Sequence, residues 1–458
     1  MSQLRILMLS DFYPPDIGGA QRQTQLLGRE LARRGHAVAV ATVWQAGLPE
    51  LHDDVGVPVH RLKSLSTRLP WFSADPRRRH HPPFPDPAIV YGLRRLIGHF
   101  QPDVVHSYGW ISYSAATALL GQHVPLIISA RTYAYTCALS SLLRRGAVCD
   151  GPALLKCLEC AAHTYGAPKG AVAVAGVFGG RLLLRRKVAG VHSISTFVRE
   201  TIRRDLLGGR DIPDAIIPSF RESVEEAAPG PVAVAGLPDE PYILFVGALT
   251  PHKGLGVLLA AYERLSSPPP LVLIGTVRGD TPRAFPPGVV VRYDVPHREV
   301  MAAWERCLFG VSPSLWPEPF GSVVHEAMSR GKAMIGTTPG GHADMIDDGR
   351  SGLLVPSGDV DALARAMRRL IDDAGLRERL GRAARESAGR YTADVMVPRF
   401  EAFYRRAARL QGAAQRSSLG GIGEAAPHPN PHHRGLEEPQ VPPDLPSILE
   451  VQEKNAHG

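Results

Sequence analysis

The chain has 458 residues, 44% of them hydrophobic and 21% charged, with a formal net charge of +8. That make-up is that of an ordinary globular protein with room for two or three domains. The positive charge, mainly arginine, suits a phosphate-rich substrate or an anionic membrane surface and alone establishes neither. No apolar run approaches the roughly 20 residues of a spanning helix. The opening M-S-Q-L-R-I-L-M-L-S-D has too short an apolar run for a signal peptide and lacks a cleavage site. A cytoplasmic protein is expected, with its five cysteines as reduced thiols or metal ligands.

Residues 5–10 read as a first parallel strand and residues 11–20 (D-F-Y-P-P-D-I-G-G-A) as a loop. Residues 21–35 read as a helix, with an apolar stripe through Leu26, Leu27, Leu31 and Ala32 and a stop at Gly35. A second strand at 37–43 completes the β–loop–α–β opening of a doubly wound sheet. The loop lacks the G-x-G-x-x-G fingerprint, which counts against a dehydrogenase. Gly18 and Gly19 at the helix head let backbone N–H groups approach an anion.

Residues 70–87, rich in Pro, Arg and His, read as an exposed loop. Its Trp71, Phe72 and Phe84 suit either anionic lipid head groups or plain solvent. Strands are expected at 102–106 and 126–130. His106 lies at the C-terminal end of one, where parallel sheets keep their ligands, and Arg131 follows the other. Cys137, Cys149, Cys157 and Cys160 fall within about two dozen residues, the last two as C-x-x-C. Such a cluster suggests a tetrahedral thiolate site, most plausibly for zinc, with buried or free thiols as the alternative. Cys307 stands apart and reads as core.

Residues 171–187 are apolar and then basic, and too short and interrupted to span a membrane. They suit an amphipathic helix lying on one, or a core-facing helix with a basic outer face. A strand at 188–194 and a helix headed by Ser195 and Thr196 follow. The first domain is thus expected over 1–220 with a Cys-rich insertion at 137–160, and an interdomain linker over 221–241. A second domain covers 242–390, a crossover helix 391–410 and a disordered tail 411–458.

The second domain opens with a strand over 242–247, ending in Gly247. The loop A-L-T-P-H-K-G at 248–254 and a helix through Leu258, Leu259 and Tyr262 come next. Strands at 271–275 and 289–293 and a helix over 299–304 lead to a buried strand around Leu308, Phe309, Val311 and Leu315. Then comes W-P-E-P-F-G-S-V-V-H-E-A-M-S at 316–329. Pro317 and Pro319 break the strand, Gly321 permits close approach of a ligand, and Ser322 is placed to cap a helix starting near Val323. A helix start is where a phosphate is held. Glu318 before the turn and Glu326 one turn inside it can face one cleft. Carboxylates repel phosphate, so both suit sugar or ribose hydroxyls.

The spacing of Glu318 and Glu326, with seven residues between them and P-F-G inside, is followed by G-G-H-A-D-M-I-D-D-G-R-S-G-L-L-V. This pattern resembles the retaining glycosyltransferases of the GT-B fold in family 4 (glycosyl transferases group 1). The resemblance implies an α/β protein of two Rossmann-like, doubly wound domains facing a central cleft. It implies transfer of a hexose-type sugar from a nucleotide-diphosphate sugar to an acceptor, in glycan, glycolipid, polysaccharide or other glycoconjugate synthesis. Carried over residue by residue, Glu326 meets ribose hydroxyls, Glu318 meets sugar hydroxyls, and Lys253 neutralises the leaving diphosphate. Phe320, Gly321, Ser322 and Val323 steady sugar and phosphate through their backbone. Gly18, Gly19 and Gly247 approach the donor, and His106 and Arg131 lie toward the acceptor.

Four departures stand out. Ala248 replaces a common diphosphate-binding arginine, leaving His252 or an arginine from elsewhere to compensate. Arg131 and Thr132 replace a usual His-Asp pair, which suits an acidic acceptor or a phosphate. Pro-Ser-Phe at 218–220 replaces Pro-Asn-Gly, and Asp344 falls where glutamate is frequent. A Cys-rich insertion at this point occurs in a subset of the family, implying a structural zinc beside the acceptor cleft. The family retains configuration by front-face attack, with the leaving phosphate helping to deprotonate the acceptor. No Asp-x-Asp motif stands out, and no catalytic divalent ion is expected. The partners implied are the donor and a glycan, lipid-linked or small-molecule acceptor, with peripheral contact at the inner membrane face and no nucleic acid. Two rivals remain, a GT-B sugar-nucleotide epimerase and a non-catalytic nucleotide-sugar-binding protein. Consumption of an acceptor separates the first, and binding without turnover the second.

Overall fold

Two parallel sheets form because the chain supplies two sets of strands too apolar to face water on either side. The computed structural model describes residues 2–15, 18–65, 81–221 and 236–412 in full, and 413–420 as helical backbone. All of these but the end of the last helix belong to one unit, Met1–Gln415.

The first half begins with β1 (Arg5–Ser10), α1 (Gly19–Arg33) and β2 (Ala37–Val43), then β3 (Leu51–Asp53) and β4 (Pro58–Leu62). Next come α2 (Pro87–Phe100), β5 (Val104–Tyr108), α3 (Ile111–Ala118) and β6 (Leu126–Ala130). A small antiparallel hairpin of β7 (Leu143–Arg144) and β8 (Ala147–Val148) leads to α4 (Leu154–Tyr165) and α5 (Ala167–Lys187). β9 (Val188–Ser193), α6 (Thr196–Ile202) and β10 (Asp214–Ile216) close the half. The sheet runs β10-β9-β6-β5-β1-β2-β4-β3, parallel except at the β3–β4 edge. Every residue of β5 and β6 is buried, as helices on both faces require.

Two readings change here. Residues 81–86 are not an exposed loop. His81 is fully buried with Nε2 against Ser114 Oγ at 2.8 Å, and Asp86 caps α2 by accepting from the Ala88 and Ile89 amides. Trp71 and Phe72 lie outside the described residues. α5 is one unbroken helix of 21 residues, long and apolar enough by length and composition to cross a bilayer. In this fold the stripe Gly170, Ala173, Val174, Val177, Gly180 and Leu184 is buried, Gly180 against the Tyr113 ring and Gly170 against the α4 backbone. Its last turn carries Arg185, Arg186 and Lys187, so it is a core-facing helix with a basic end.

The second half runs through β11 (Ile243–Val246), α7 (Leu255–Glu263), β12 (Leu271–Gly275) and β13 (Val289–Tyr293). It continues with α8 (His297–Arg306), β14 (Phe309–Ser312), α9 (Ser322–Ser329) and β15 (Met334–Thr338). α10 (His342–Met345), β16 (Leu353–Pro356), α11 (Val360–Asp372) and α12 (Ala374–Ala388) complete it. The sheet order is β13-β12-β11-β14-β15-β16, parallel throughout. The chain then returns to the first sheet. α13 (Ala393–Gly420) places Tyr404 Oη 2.7 Å from His106 Nδ1 and Glu401 3.1 Å from His36. Arg221 is fixed as well, pairing its backbone with Tyr391 and Ala393. Residues 222–235 of the expected linker lie outside the described residues, as do 421–458 of the tail expected to be disordered from 411, whereas 411–420 continue α13.

Candidate active site

The turn after β14 is held from three sides. Thr337 and Ser357 donate to the Ser314 carbonyl at 2.9 and 3.0 Å. The His252 carbonyl accepts from Leu315 N at 2.9 Å, and the Glu318 carbonyl accepts from Gly341 N at 2.6 Å. Gly340 and Gly341 are needed here, since a Cβ on either would run into the backbone of residues 317–320. Gly321, at φ +94°, lets α9 start tightly beneath His342. Ser322 is the first residue of α9 and does not cap it, because that turn puts Gly321 at the cap position with no side-chain hydrogen bond.

Both carboxylates are largely shielded, with 11% of each side chain exposed, and already partnered. Glu318 accepts from Lys253 Nζ at 2.7 Å, Trp316 Nε1 at 2.9 Å and Ser314 Oγ at 3.1 Å. Burial alone would raise its pKa. The charges of Lys253 and His342, with the hydrogen bonds, outweigh that and hold it below the ordinary carboxylate range. Lys253 also lies over the Trp316 ring, 5.1 Å from its centroid. Glu326 meets Arg221 at 2.9 Å and His297 at 3.1 Å. Burial again pushes up, and the His297 and Arg221 contacts prevail downward.

Across the cleft, a Cβ on Gly19 would lie 3.9 Å from Ser322 Oγ. The starts of α1 and α9 therefore face each other, and neither has a side-chain cap or an acidic first turn. Two opposed helix starts of this kind present N–H groups and partial positive charge suited to an anion between them. Tyr133 Oη donates to the Pro317 carbonyl at 2.6 Å and Thr196 N to Asp344 at 2.6 Å, so the two halves touch at the loop itself. Gly247 follows β11 with φ +154°, beside Gly275.

His106 is not on the cleft wall. It is fully buried beneath α13, and desolvation, then His192 and Arg131, drive its pKa well down, so it is a neutral core histidine. The strand expected to end at His106 runs on to Tyr108, so His106 is the central residue of β5, inside the sheet and covered by the returning helix. Arg131 stays at the edge of the cleft, with Nη2 donating to Ser219 Oγ at 2.6 Å. Arg221, His297, Trp316 and Tyr133 were missed. Arg221 was visible only as a charge at the linker start and His297 only as a helix head. Their pairing with Glu326 arises from contacts far apart in sequence. An Asp-x-Asp does exist, at Asp359–Val360–Asp361. Asp359 caps α11 at Ala362 N and Asp361 pairs with Arg264, so both are spent on helix structure.

The four clustered cysteines are free thiols around the β7–β8 hairpin and α4. Burial raises the Cys157 pKa, and Cys137, Cys149 and Cys160 are all near enough to add to it. Among the described residues, no three His, Cys, Asp or Glu side chains are arranged to hold a metal ion. As placed, the thiols share a neighbourhood without forming a ligand set.

Two doubly wound domains with opposed helix starts and two partnered glutamates define a glycosyltransferase of the GT-B fold. Residues 233–387 match the family described as glycosyl transferases group 1, and residues 18–218 a glycosyl transferase 4-like domain. The chain belongs to the group 1 glycosyltransferases of family 4 type. It is 28% identical over 464 residues to the 2-deoxystreptamine N-acetyl-D-glucosaminyltransferase of Streptomyces fradiae, covering 92% of this chain and 100% of that one. It is 32% identical over 198 residues to the D-inositol 3-phosphate glycosyltransferase of Streptomyces avermitilis, covering 37% of this chain and 43% of that one. The chain spans less than half the length of several curated relatives it matches. Among solved structures, sucrose-phosphate synthase from Thermosynechococcus elongatus superimposes with a TM-score of 0.65 at 19% identity, over 89% of this chain and 100% of that one.

Proposed function

We propose that this chain transfers a hexose-type sugar from a nucleotide-diphosphate sugar to an acceptor hydroxyl, with retention at the anomeric carbon and no catalytic divalent ion. The observation that carries the reading is the facing pair of uncapped helix starts at Gly19 and Ser322. The Lys253–Glu318 pair belongs to the same turn region. In the transfer, the bond from the anomeric carbon to the diphosphate oxygen breaks. The acceptor oxygen bonds to the same face, and its proton passes to the departing phosphate. Lys253 and the helix starts stabilise the charge that develops on that phosphate. Glu318 then exchanges its lysine for sugar hydroxyls, and Glu326 meets the ribose between Arg221 and His297. Arg221 supplies the cation absent at Ala248.

A melting-temperature and calorimetry screen against UDP, GDP, ADP and their sugar conjugates tests the donor side, since a ligand of the folded state raises its stability by mass action. One nucleotide should stand out and lose its effect in Lys253→Ala. No response to any of them refutes the reading. NMR of the product should show the donor's anomeric configuration, and full turnover in a chelator should accompany it.

The same proposal covers three further points. A cytoplasmic location with peripheral contact at an anionic inner leaflet is supported by exposed Leu154, Leu155, Val172 and Leu182 and the basic end of α5. Salt-sensitive sedimentation with phosphatidylglycerol vesicles, and not with phosphatidylcholine, checks it. A structural zinc that draws the four thiols together should appear at about one ion per chain and leave with Cys157→Ser and Cys160→Ser. Metal-free wild-type protein removes that part.

A further inference from the structure

We infer that the acceptor carries an oxyanion, a phosphate or a carboxylate, which Arg131 binds. This rests on the transferase reading above and deepens its acceptor side. Arg131 follows β6 directly, at the C-terminal edge of the first sheet where parallel sheets hold ligands. Two residues further on, Tyr133 touches the donor loop at Pro317. On the other side, Arg131 is bonded to Ser219, whose neighbour Phe220 exchanges backbone hydrogen bonds with the Gln23 side chain of α1. Arg131 therefore stands on the same wall as the uncapped α1 start.

A guanidinium has five N–H donors. Among the described residues, the hydrogen bond to Ser219 is the one recorded for Arg131, and no carboxylate pairs with it. Its surroundings are neutral. His106 is held uncharged by burial, and His192 spends both ring nitrogens on Ser129 Oγ and the Ile217 carbonyl. Burial costs the Arg131 charge, whose pKa falls to about 10, yet it stays protonated at neutral pH. An unpaired, half-desolvated cation is costly to keep. A planar fork with spare donors matches a carboxylate or phosphate in bidentate fashion. The same cation repels an ammonium group, so aminated acceptors are disfavoured.

The test uses the full chain saturated with whichever nucleoside diphosphate binds in the donor screen, so that the diphosphate position is filled. Inorganic phosphate is then titrated in a calorimeter. The wild type should bind one further phosphate. Arg131→Met should weaken that by roughly tenfold or more, and Arg131→Lys should restore part of it. Nucleotide affinity in the same variants shows that the fold and donor site are intact. Glucose 6-phosphate, glucuronate, glucose and glucosamine, tried as competitors, separate the sources. Competition by the first alone assigns a phosphorylated acceptor, and by the second alone a carboxylated one. No phosphate binding to the nucleotide-loaded wild type overturns the inference while leaving the donor reading intact, as does equal binding by Arg131→Met. Failure of every nucleotide to bind refutes the donor reading instead.

Discussion

The two walls of the cleft treat charge in opposite ways. At the second domain's central turn the two glutamates are partnered: Glu318 has Lys253, and Glu326 has Arg221, from the start of the linker, and the His297 ring. On the first domain, Arg131 has a hydroxyl and, among the described residues, no acid. A wall that balances its own charges is pre-organised, and its ligand works by exchanging partners. A wall that leaves a cation over is completed by its ligand. The proposed placement of diphosphate and hydroxyls on one side and a separate anion on the other rests on this difference.

The strongest way to break this contrast is Glu318→Ala. Turnover of bound donor should fall on the order of a hundredfold or more, because the proposed acceptor of the sugar hydroxyls is lost and Lys253 is left without its acid. Stopped-flow or coupled assays at saturating donor read it, and near-normal turnover would remove Glu318 from the chemistry. Glu326→Ala should act next most strongly, weakening donor affinity roughly ten- to hundredfold with turnover at saturation less affected. Calorimetry with the donor measures that split, and an unchanged affinity would free Glu326 of its ribose role.

Tyr404→Phe sharpens the placement of His106. Removing the hydroxyl that meets its Nδ1 should cost about 1–3 kcal/mol in chemical denaturation, with the acceptor KM unmoved. A changed acceptor KM would return His106 to the site. The last test concerns Asp11, which accepts from the Trp110 and Ile111 amides at the head of α3. Burial, the larger influence, raises its pKa to about 7, against the two amide bonds that lower it. The folded state therefore holds a proton that the unfolded state releases from about pH 4. Stability from this group is present below pH 4 and is lost as pH rises toward 7. Asp11→Asn should flatten the fall in melting temperature between pH 4 and pH 7. An identical profile would show that Asp11 is ionised throughout.

Much of the fold was legible because it rests on short-range rules. β1, β2 and β6 occupy the residues that their apolar runs marked, since a strand buried on both faces needs only such a run between turn residues. α2 was overlooked although Asp86 and Pro87 spell a helix start, because the proline-rich approach masked it. The 21-residue α5 was read as interrupted because its glycines weaken a helix in isolation. Packing against α4 and Tyr113 makes those glycines points of close approach instead.

The sequence by itself determined the two doubly wound sheets, the turn carrying Glu318 and Glu326, and the family. Glycines, prolines and paired acids at set spacing act through neighbours a few residues away. Only the tertiary structure decided which charges meet. It brought Arg221 to Glu326 and Lys253 to Glu318, folded α13 over His106 and gave Arg131 the Ser219 hydroxyl and, among the described residues, no acid. Those outcomes depend on side chains more than sixty residues apart, 65 in the case of Lys253 and Glu318. Their separation in space is set by how the sheets and the returning helix pack, which no local pattern encodes.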